Sequence, residues 1–335
     1  PRPRLLDRLA DPDRRVVLIS APAGSGKTVL VLDWLRQAPP ATAWFSIGPL
    51  DNDPPRFLAH LAAALRSAGD PALDEAADRV AEGVGSGQPP VPEILTALTG
   101  ADPESVIVLD DVHHLEAPPL VELVRGLVTE LAPGPGPRLV LITRVDPAIP
   151  LGRLRVSGGL LEMRQRDLRF TPEEAVALFE RLLPAGLDPA LVGRLETRTE
   201  GWAAGLRMAA AALERVDDPA AAVDAFTGTH ELMVDYLLEE TLGRQDEARQ
   251  RFLMETSILP RFTADTCVAV TGDPAAPDHL EAVDRANLFL ISLDDRHEWY
   301  RYHHLFAELL EYRIQRLHPD RVDVLRERAS RWFEE

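Results

Sequence analysis

The chain is poor in the residues that would place it outside the cell, in a membrane or on nucleic acid. It has one cysteine, Cys267, among 335 residues, so no disulfide can form within it. That favours a cytoplasmic home. Cys267 lies in an apolar stretch and reads as a small core residue, not a nucleophile. No run of about 18 apolar residues occurs, so no membrane-spanning helix is expected and a membrane is not among the expected partners. Pro1-Arg2-Pro3-Arg4 lacks an initiator Met and is not followed by a signal-type apolar stretch, as in a cut fragment. Positive charge is scarce: 36 basic residues stand against 54 acidic ones, for a net charge of −18. Such a surface repels phosphate backbones, so these residues alone should not grip DNA, RNA or an anionic membrane. Lysine is almost missing. Lys27 is the only one, in a chain otherwise supplied with arginine. Codon usage accounts for the bias but not for the exception. An ammonium on a flexible stem is kept where a compact point charge is needed and a planar guanidinium would not serve.

What is present is a globular composition, 45% hydrophobic and 27% charged. The length calls for two or three domains. In the first two-thirds, short apolar runs alternate with helical patterns. Strands are expected at Arg15–Ala21, Thr42–Ile47, Val106–Leu109, Leu139–Thr143 and Leu160–Arg164. Helices are expected at Lys27–Gln37, Pro55–Ala68 and Pro118–Leu131. Gly83–Pro92 reads as a loop, and Pro133–Pro137 as a stiff turn. This alternation predicts a parallel sheet with helices on both faces. After Phe170 the strands stop. Thr171-Pro172-Glu173-Glu174 is a helix start, and helical patterns run to about Val216. A linker starts at Asp217-Asp218-Pro219, and a second helical group begins at Glu231. Asn287–Asp294 and His297–Tyr302 read as a hairpin, which after helices suggests a winged helix. A further helix starts at Pro319.

Ala21-Pro-Ala-Gly24-Ser25-Gly26-Lys27-Thr28 falls between the first strand and the first of these helices, the context a phosphate loop requires. Glycines turn backbone N–H groups inward around phosphate oxygens, and the helix points its positive end at them. The nucleotide-binding set is Ala23, Gly24, Ser25, Gly26, Lys27, Thr28 and Val29. Lys27 bridges the β and γ phosphates of ATP, and Thr28 ligates Mg²⁺. Ala21 stands where the motif usually has glycine. Asp110-Asp111 ends the Val106–Leu109 run. A carboxylate at a strand end next to the phosphate-loop strand can hold Mg²⁺, the role given to Asp110, while Asp111 orients or deprotonates the attacking water. The plainer alternative is an acidic turn capping the next helix. Arg144, after the strand ending at Thr143, would lie near the γ-phosphate and report hydrolysis, although arginines occur throughout the chain. Gly201-Trp202-Ala203-Ala204-Gly205-Leu206 opens an Ala-rich helix and allows close backbone packing. Tyr300-Arg301-Tyr302-His303-His304-Leu305-Phe306 crowds aromatic and histidine residues at a helix start. Adjacent histidines point apart and make a poor metal site.

In this order the phosphate loop, Leu-Asp-Asp-Val-His, Thr-Arg near a proline, Asp-Leu-Arg-Phe-Thr, Gly-Trp-x-x-Gly-Leu and Tyr-Arg-Tyr-His-His-Leu-Phe resemble one family over nearly the whole chain. It is the maltose-activator-like branch of the STAND signal-transduction ATPases, the large ATP-binding LuxR-type regulators. The resemblance implies an α/β P-loop NTPase at 1–168, a helical domain at 169–229 and a winged helix at 230–318. It implies that 319–335 starts a helical sensor region, with a DNA-binding helix-turn-helix further on and outside this chain. It carries Lys27, Thr28 and Asp110 to the nucleotide and Mg²⁺, and Arg144 to the sensor arginine. Arg2 corresponds to the arginine that shapes the adenine site, and His303 to the histidine on the β-phosphate of ADP. Ala203 stands where the family often places a proline against the base.

The reading is a switch core of a transcription activator. ADP holds it closed; an inducer acting through a sensor region admits ATP and permits self-association; slow hydrolysis resets it. The rival is a remodelling ATPase or phosphotransferase whose turnover is the function. A phosphotransferase needs a substrate pocket with a base of its own, and no separate candidate is visible. A remodeller needs fast turnover and an arginine finger in trans. A stand-alone DNA-binding winged helix is disfavoured by the acidic charge.

Overall fold

In the computed structural model, residues 2–334 are described, apart from 38, 132–135, 184–185 and 215. Most of the expected Pro133–Pro137 turn therefore lies outside the described residues. The chain divides into two compact units, Pro1–Ala21 with Gly26–Leu168, and Pro22–Ser25 with Arg169–Glu335.

The first unit is built on five strands: β1 (Val16–Ser20), β2 (Thr42–Ser46), β3 (Val106–Asp110), β4 (Arg138–Thr143) and β5 (Leu160–Arg164). All are parallel, in the order β2-β3-β4-β1-β5. β1, β3 and β4 are buried along their whole length, as continuous aliphatic runs between two helical layers must be. The period of two sorts their side chains. Val16, Leu18, Ile107, Leu109, Leu139 and Leu141 join one core with the helices Pro54–Arg66, Pro71–Glu82, Val91–Leu98 and Pro118–Leu131. Val17, Ile19, Val106, Val108, Val140 and Ile142 join another with Pro3–Leu9 and Lys27–Gln37.

The strand order corrects one expectation. β3 is not beside the phosphate-loop strand; β4 lies between them, with Ser20 opposite Thr143 and Leu109 opposite Leu141. Right-handed crossovers pass β3 to the far side of the position that β4 later fills. Helices also appear where none was expected, at Pro3–Leu9, Pro71–Glu82 and Val91–Leu98, the last occupying the end of the supposed loop. Pro71–Glu82 is anchored by Asp70. Its buried carboxylate caps Ala72 N–H at 2.9 Å and also accepts from Ser105 Oγ at 2.7 Å and Asp102 N–H at 3.1 Å.

Among its described residues the second unit is helical but for one hairpin and an isolated bridge between Phe262 and Tyr300. Its first helix, Pro172–Leu182, starts in a full capping box between Thr171 and Glu174. The hairpin is β6 (Leu290–Ser292) against β7 (Tyr300–Tyr302), antiparallel. It is shorter than Asn287–Asp294 and His297–Tyr302 suggest, for two reasons. Asn287 and Phe289 take positive φ of 48° and 54°, which no strand accommodates. Asp294 turns the chain by accepting from the N–H groups of Arg296, Glu298 and Trp299. Among the described residues no helix is long and apolar enough to cross a membrane.

Asp70 combines a helix cap with a tie to the entry of β3. Asp70→Ala should therefore cost about 2 kcal/mol, read as a lower urea midpoint with unchanged m. A midpoint within error of wild type would show that the tie contributes nothing.

Candidate functional site

The phosphate loop leaves β1 and enters the helix Lys27–Gln37. Gly24 and Gly26 adopt left-handed φ of 70° and 79°, the conformation that frees inward-turning N–H groups. At Gly24 a Cβ would also come within 2.6 Å of Ala204 Cβ and of the Tyr236 hydroxyl, so no side chain fits. Lys27 is buried, and its ammonium donates to the Ala21 carbonyl at 2.8 Å. Burial, followed by the positive charge of Arg144, lowers its pKa to about 8, against the pull of Asp111 and Asp110. Ser25 Oγ is buried with no hydrogen-bond partner. Val29, in the first helical turn, is 60% exposed, whereas Ala23 is buried. The Ala23 carbonyl accepts from the Trp202 indole at 3.1 Å, and the Gly24 carbonyl from Ala204 N–H at 3.0 Å. Ala203 is the half-buried first residue of the helix Ala203–Leu213.

Asp110, at the end of β3, is buried. Thr28 Oγ1 donates to its Oδ2 at 3.0 Å, and its Oδ1 has no partner. Burial, then the charge of Asp111, raises its pKa. A hydroxyl beside a carboxylate with one orphaned buried oxygen is a donor set that fits Mg²⁺. Asp111 follows at φ 60°, left-handed, with Oδ1 3.7 Å from His113 Nδ1. His113 is held down to about pKa 4 by burial and then by His114, against the pull of Asp111. Arg144 follows β4, half-buried, and its charge is felt at both Lys27 and His113. The first unit thus collects Lys27, Thr28, Asp110, Asp111 and Arg144 at the carboxyl ends of β1, β3 and β4. Arg2 is elsewhere engaged. It sits at the start of the helix Pro3–Leu9, buried, with its guanidinium donating to the Leu168 carbonyl at 2.7 Å.

In the second unit His303 is the N-cap of the helix His304–Leu317 and is 1% exposed. Its Nε2 is 2.8 Å from the Thr199 carbonyl, which can only accept, so Nε2 carries the hydrogen. Nδ1 is buried and bonds nothing. The ring lies edge-on to Trp202 and Phe289. Burial lowers its pKa to about 4 against the pull of Glu200 and the Thr199 carbonyl.

Two domain families match the chain: an AAA ATPase domain over residues 4–142 and the MalT winged helix domain over residues 238–322. The HTH-type transcriptional regulator MalT of Vibrio parahaemolyticus is 30% identical over 343 residues, covering 100% of this chain and 37% of the regulator. Over its whole length the chain is thus similar to MalT-type regulators, and it carries an AAA-type ATPase domain and a MalT-type winged helix. The serine/threonine-protein kinase PknK of Mycobacterium tuberculosis is 32% identical over 341 residues, 100% of this chain and 30% of the kinase. Against both, the chain spans about a third of the relative's length. A Walker-type ATPase of Pyrococcus abyssi shares the fold, with TM-score 0.64 and 14% identity over 92% of this chain and 95% of that one.

Two residues stand out only in three dimensions. His113 is inside the Leu-Asp-Asp-Val-His run, but nothing in the run says that its ring turns toward Asp111. Glu200 precedes Gly201-Trp202, and its buried carboxylate takes both guanidinium nitrogens of Arg301 at 2.7 and 2.9 Å, a pairing across 101 residues.

The two buried imidazoles fix a pH dependence. Both are neutral in the folded chain down to about pH 4, whereas an unfolded histidine protonates near its ordinary value of about 6.5. Below about pH 6.5 the unfolded chain therefore binds more protons, and stability falls by up to about tenfold in the folding constant per pH unit for each residue, until about pH 4. His303→Gln should consequently be destabilised at pH 7.5 and converge on wild type as the pH falls to 5. Parallel stability curves in urea over that range would contradict a neutral, buried His303.

Proposed function

We propose that the chain is the nucleotide-operated switch core of a larger regulator. The observation that carries the reading is that the matched stretch recurs in relatives named for two different outputs, an HTH-type transcriptional regulator and a serine/threonine-protein kinase. A module common to both supplies control, not output. The output for this chain, on the side of its MalT-type relatives, is activation of transcription in the cytoplasm. It would act through a DNA-binding helix-turn-helix outside these residues and answer an inducer through a sensor region that 319–335 begins. The domains are 1–168 for the nucleotide, 169–229 helical and 230–318 winged helix.

ATP or ADP would bind over Ala23–Val29. Lys27 would exchange its bond to the neutral Ala21 carbonyl for bonds to anionic phosphate oxygens. Thr28 and Asp110 would hold Mg²⁺, and the orphaned Oδ1 of Asp110 supports that role. Bound Mg²⁺ would neutralise phosphate charge. Asp111 orients or deprotonates the attacking water, and Arg144 answers the γ-phosphate. His303 meets the β-phosphate of ADP and favours the closed resting state. Ala203 and Arg2 border the adenine; the guanidinium of Arg2 already serves Leu168, so its contribution is to the shape of the site. ATP in place of ADP permits self-association, and slow hydrolysis resets the switch.

Light scattering on the purified chain tests this reading. ADP should give a monomer and ATP with Mg²⁺ a larger species, and Lys27→Ala should bind neither nucleotide while remaining folded. An ATPase that turns over many times per second with no change of size between nucleotides would favour the rival reading, in which turnover is the function.

Asp111→Asn leaves Asp110 and Thr28 in place, so ATP affinity should be kept. Single-turnover hydrolysis should slow by about 10²-fold or more. Unchanged hydrolysis would reduce Asp111 to a turn residue.

A further inference from the structure

Glu200 carries two burdens that a glycine in its place would avoid. Its φ is +49°, the left-handed region unfavourable to a residue with a Cβ, and its carboxylate is 8% exposed. The next residue, Gly201, is also left-handed, and a Cβ there would lie 2.5 Å from the Phe170 carbonyl. The corner Thr199-Glu200-Gly201 is thus held in one shape. Around the carboxylate three elements of the second unit meet. Arg301 of β7 makes a bidentate pair, the backbone N–H of His304 donates at 3.1 Å, and Arg169, ahead of the helix Pro172–Leu182, approaches to 3.2 Å. His303, between Tyr302 and His304 in the segment so fixed, places Nε2–H on the Thr199 carbonyl, the residue before Glu200.

We infer that Glu200 is the positioning residue for His303. By clamping Arg301 and the His304 N–H, it commits Nε2–H to Thr199, leaves Nδ1 as the nitrogen offered to phosphate, and supplies the counter-charge for a proton there. This rests on the reading that His303 meets the β-phosphate. A neutral ring with its hydrogen on Nε2 presents a lone pair at Nδ1, which a phosphate oxygen repels. Contact requires a second hydrogen. Binding therefore takes up one proton from solvent, giving an imidazolium whose Nδ1–H donates to phosphate and whose Nε2–H still donates to Thr199. The charges that bear on that proton are few. Glu200 favours it, Arg169 and His304 oppose it, Arg301 is paired with Glu200, and the Trp202 and Phe289 rings bring no charge. The phosphate-loop ammonium, with a pKa of about 8, takes up only a fraction of a proton at pH 7.5, so the His303 NMR titration, and not calorimetric uptake alone, identifies the full proton on the imidazole.

Histidine-selective NMR titration of the full chain with and without ADP and Mg²⁺ tests this, with ADP affinity from calorimetry in buffers of different ionisation enthalpy. In wild type, ADP should raise the pKa of His303, and binding should take up a proton. In Glu200→Gln, which keeps the shape and removes the charge, the pKa of the complex should fall by about a unit or more, and ADP should loosen about tenfold at pH 7.5. Glu200→Asp, which restores the charge, should recover most of the uptake. A His303 that ADP leaves unmoved in wild type would overturn the phosphate contact itself. A His303 that responds to ADP equally in wild type and in Glu200→Gln would overturn the role of Glu200 and leave that contact standing. Should Glu200→Gln fail to fold, Arg301→Lys, which frees the carboxylate from its bidentate clamp, should still lower the affinity for ADP and disperse the His303 signal. Wild-type affinity and a single His303 signal in that variant would refute the clamp.

Discussion

One ammonium has to be kept at the mouth of a buried parallel sheet, and the first unit is arranged around that demand. Lys27 is 7% exposed, which penalises its charge, and Arg144 adds a like charge. Among the groups that oppose these are the Ala21 carbonyl and the carboxylates of Asp110 and Asp111. The balance leaves a pKa of about 8, so the group is still mostly protonated at neutral pH. A site in that condition favours an anion. In the proposed function a polyphosphate would supply that negative charge, and the adjoining glycines and helix start would supply the N–H groups to hold it.

The sheet order explains how carboxylates and arginine come to share this mouth. In an open α/β sheet the loops at the carboxyl ends of the strands form the ligand crevice. β1 delivers Lys27, β3 delivers Asp110 and Asp111, and β4 between them delivers Arg144. With β4 interposed, Arg144 leaves the strand directly beside the one that feeds the phosphate loop, which supports the role proposed for it. Had β3 been adjacent to β1, as the sequence alone suggests, the carboxylates would have taken that place.

The strands and the phosphate loop are legible in the sequence because burial on both faces writes itself as unbroken aliphatic runs. Val106–Asp110 and Leu160–Arg164 fall within a residue of their expected limits. The helix Pro71–Glu82 is hidden because its buried stripe is Leu73, Ala76, Ala77 and Val80, and alanine carries little apolar signal. Val91–Leu98 is hidden by prolines, which mark loops and helix starts alike. Strand neighbours are not written locally at all. The same holds for the long-range contacts of the second unit. His303 can be picked out by resemblance, yet its bond to Thr199 spans 104 residues, and the clamp on Glu200 spans 101.

If the core works as the proposed switch, the strength of its nucleotide contacts sets how firmly it rests in one state. A ligand shifts a conformational equilibrium only by its differential affinity for the two states. A single charge-assisted hydrogen bond from His303 to phosphate is worth roughly 1.5–3 kcal/mol, or about a 10- to 150-fold preference for the state that makes it. That is enough to define a resting state and too little to lock one. Protonating a ring whose own pKa is about 4 costs about 4 kcal/mol at pH 7, more than one such bond returns, so the net negative charge of the phosphates must supply the rest. The pull of Glu200 is already part of that value, so without Glu200 the cost would be larger. The buried, strained glutamate and the exposed output are then separable problems. The first tunes how firmly nucleotide sets the core, and the second can be exchanged, as a transcriptional regulator and a kinase sharing the same core illustrate.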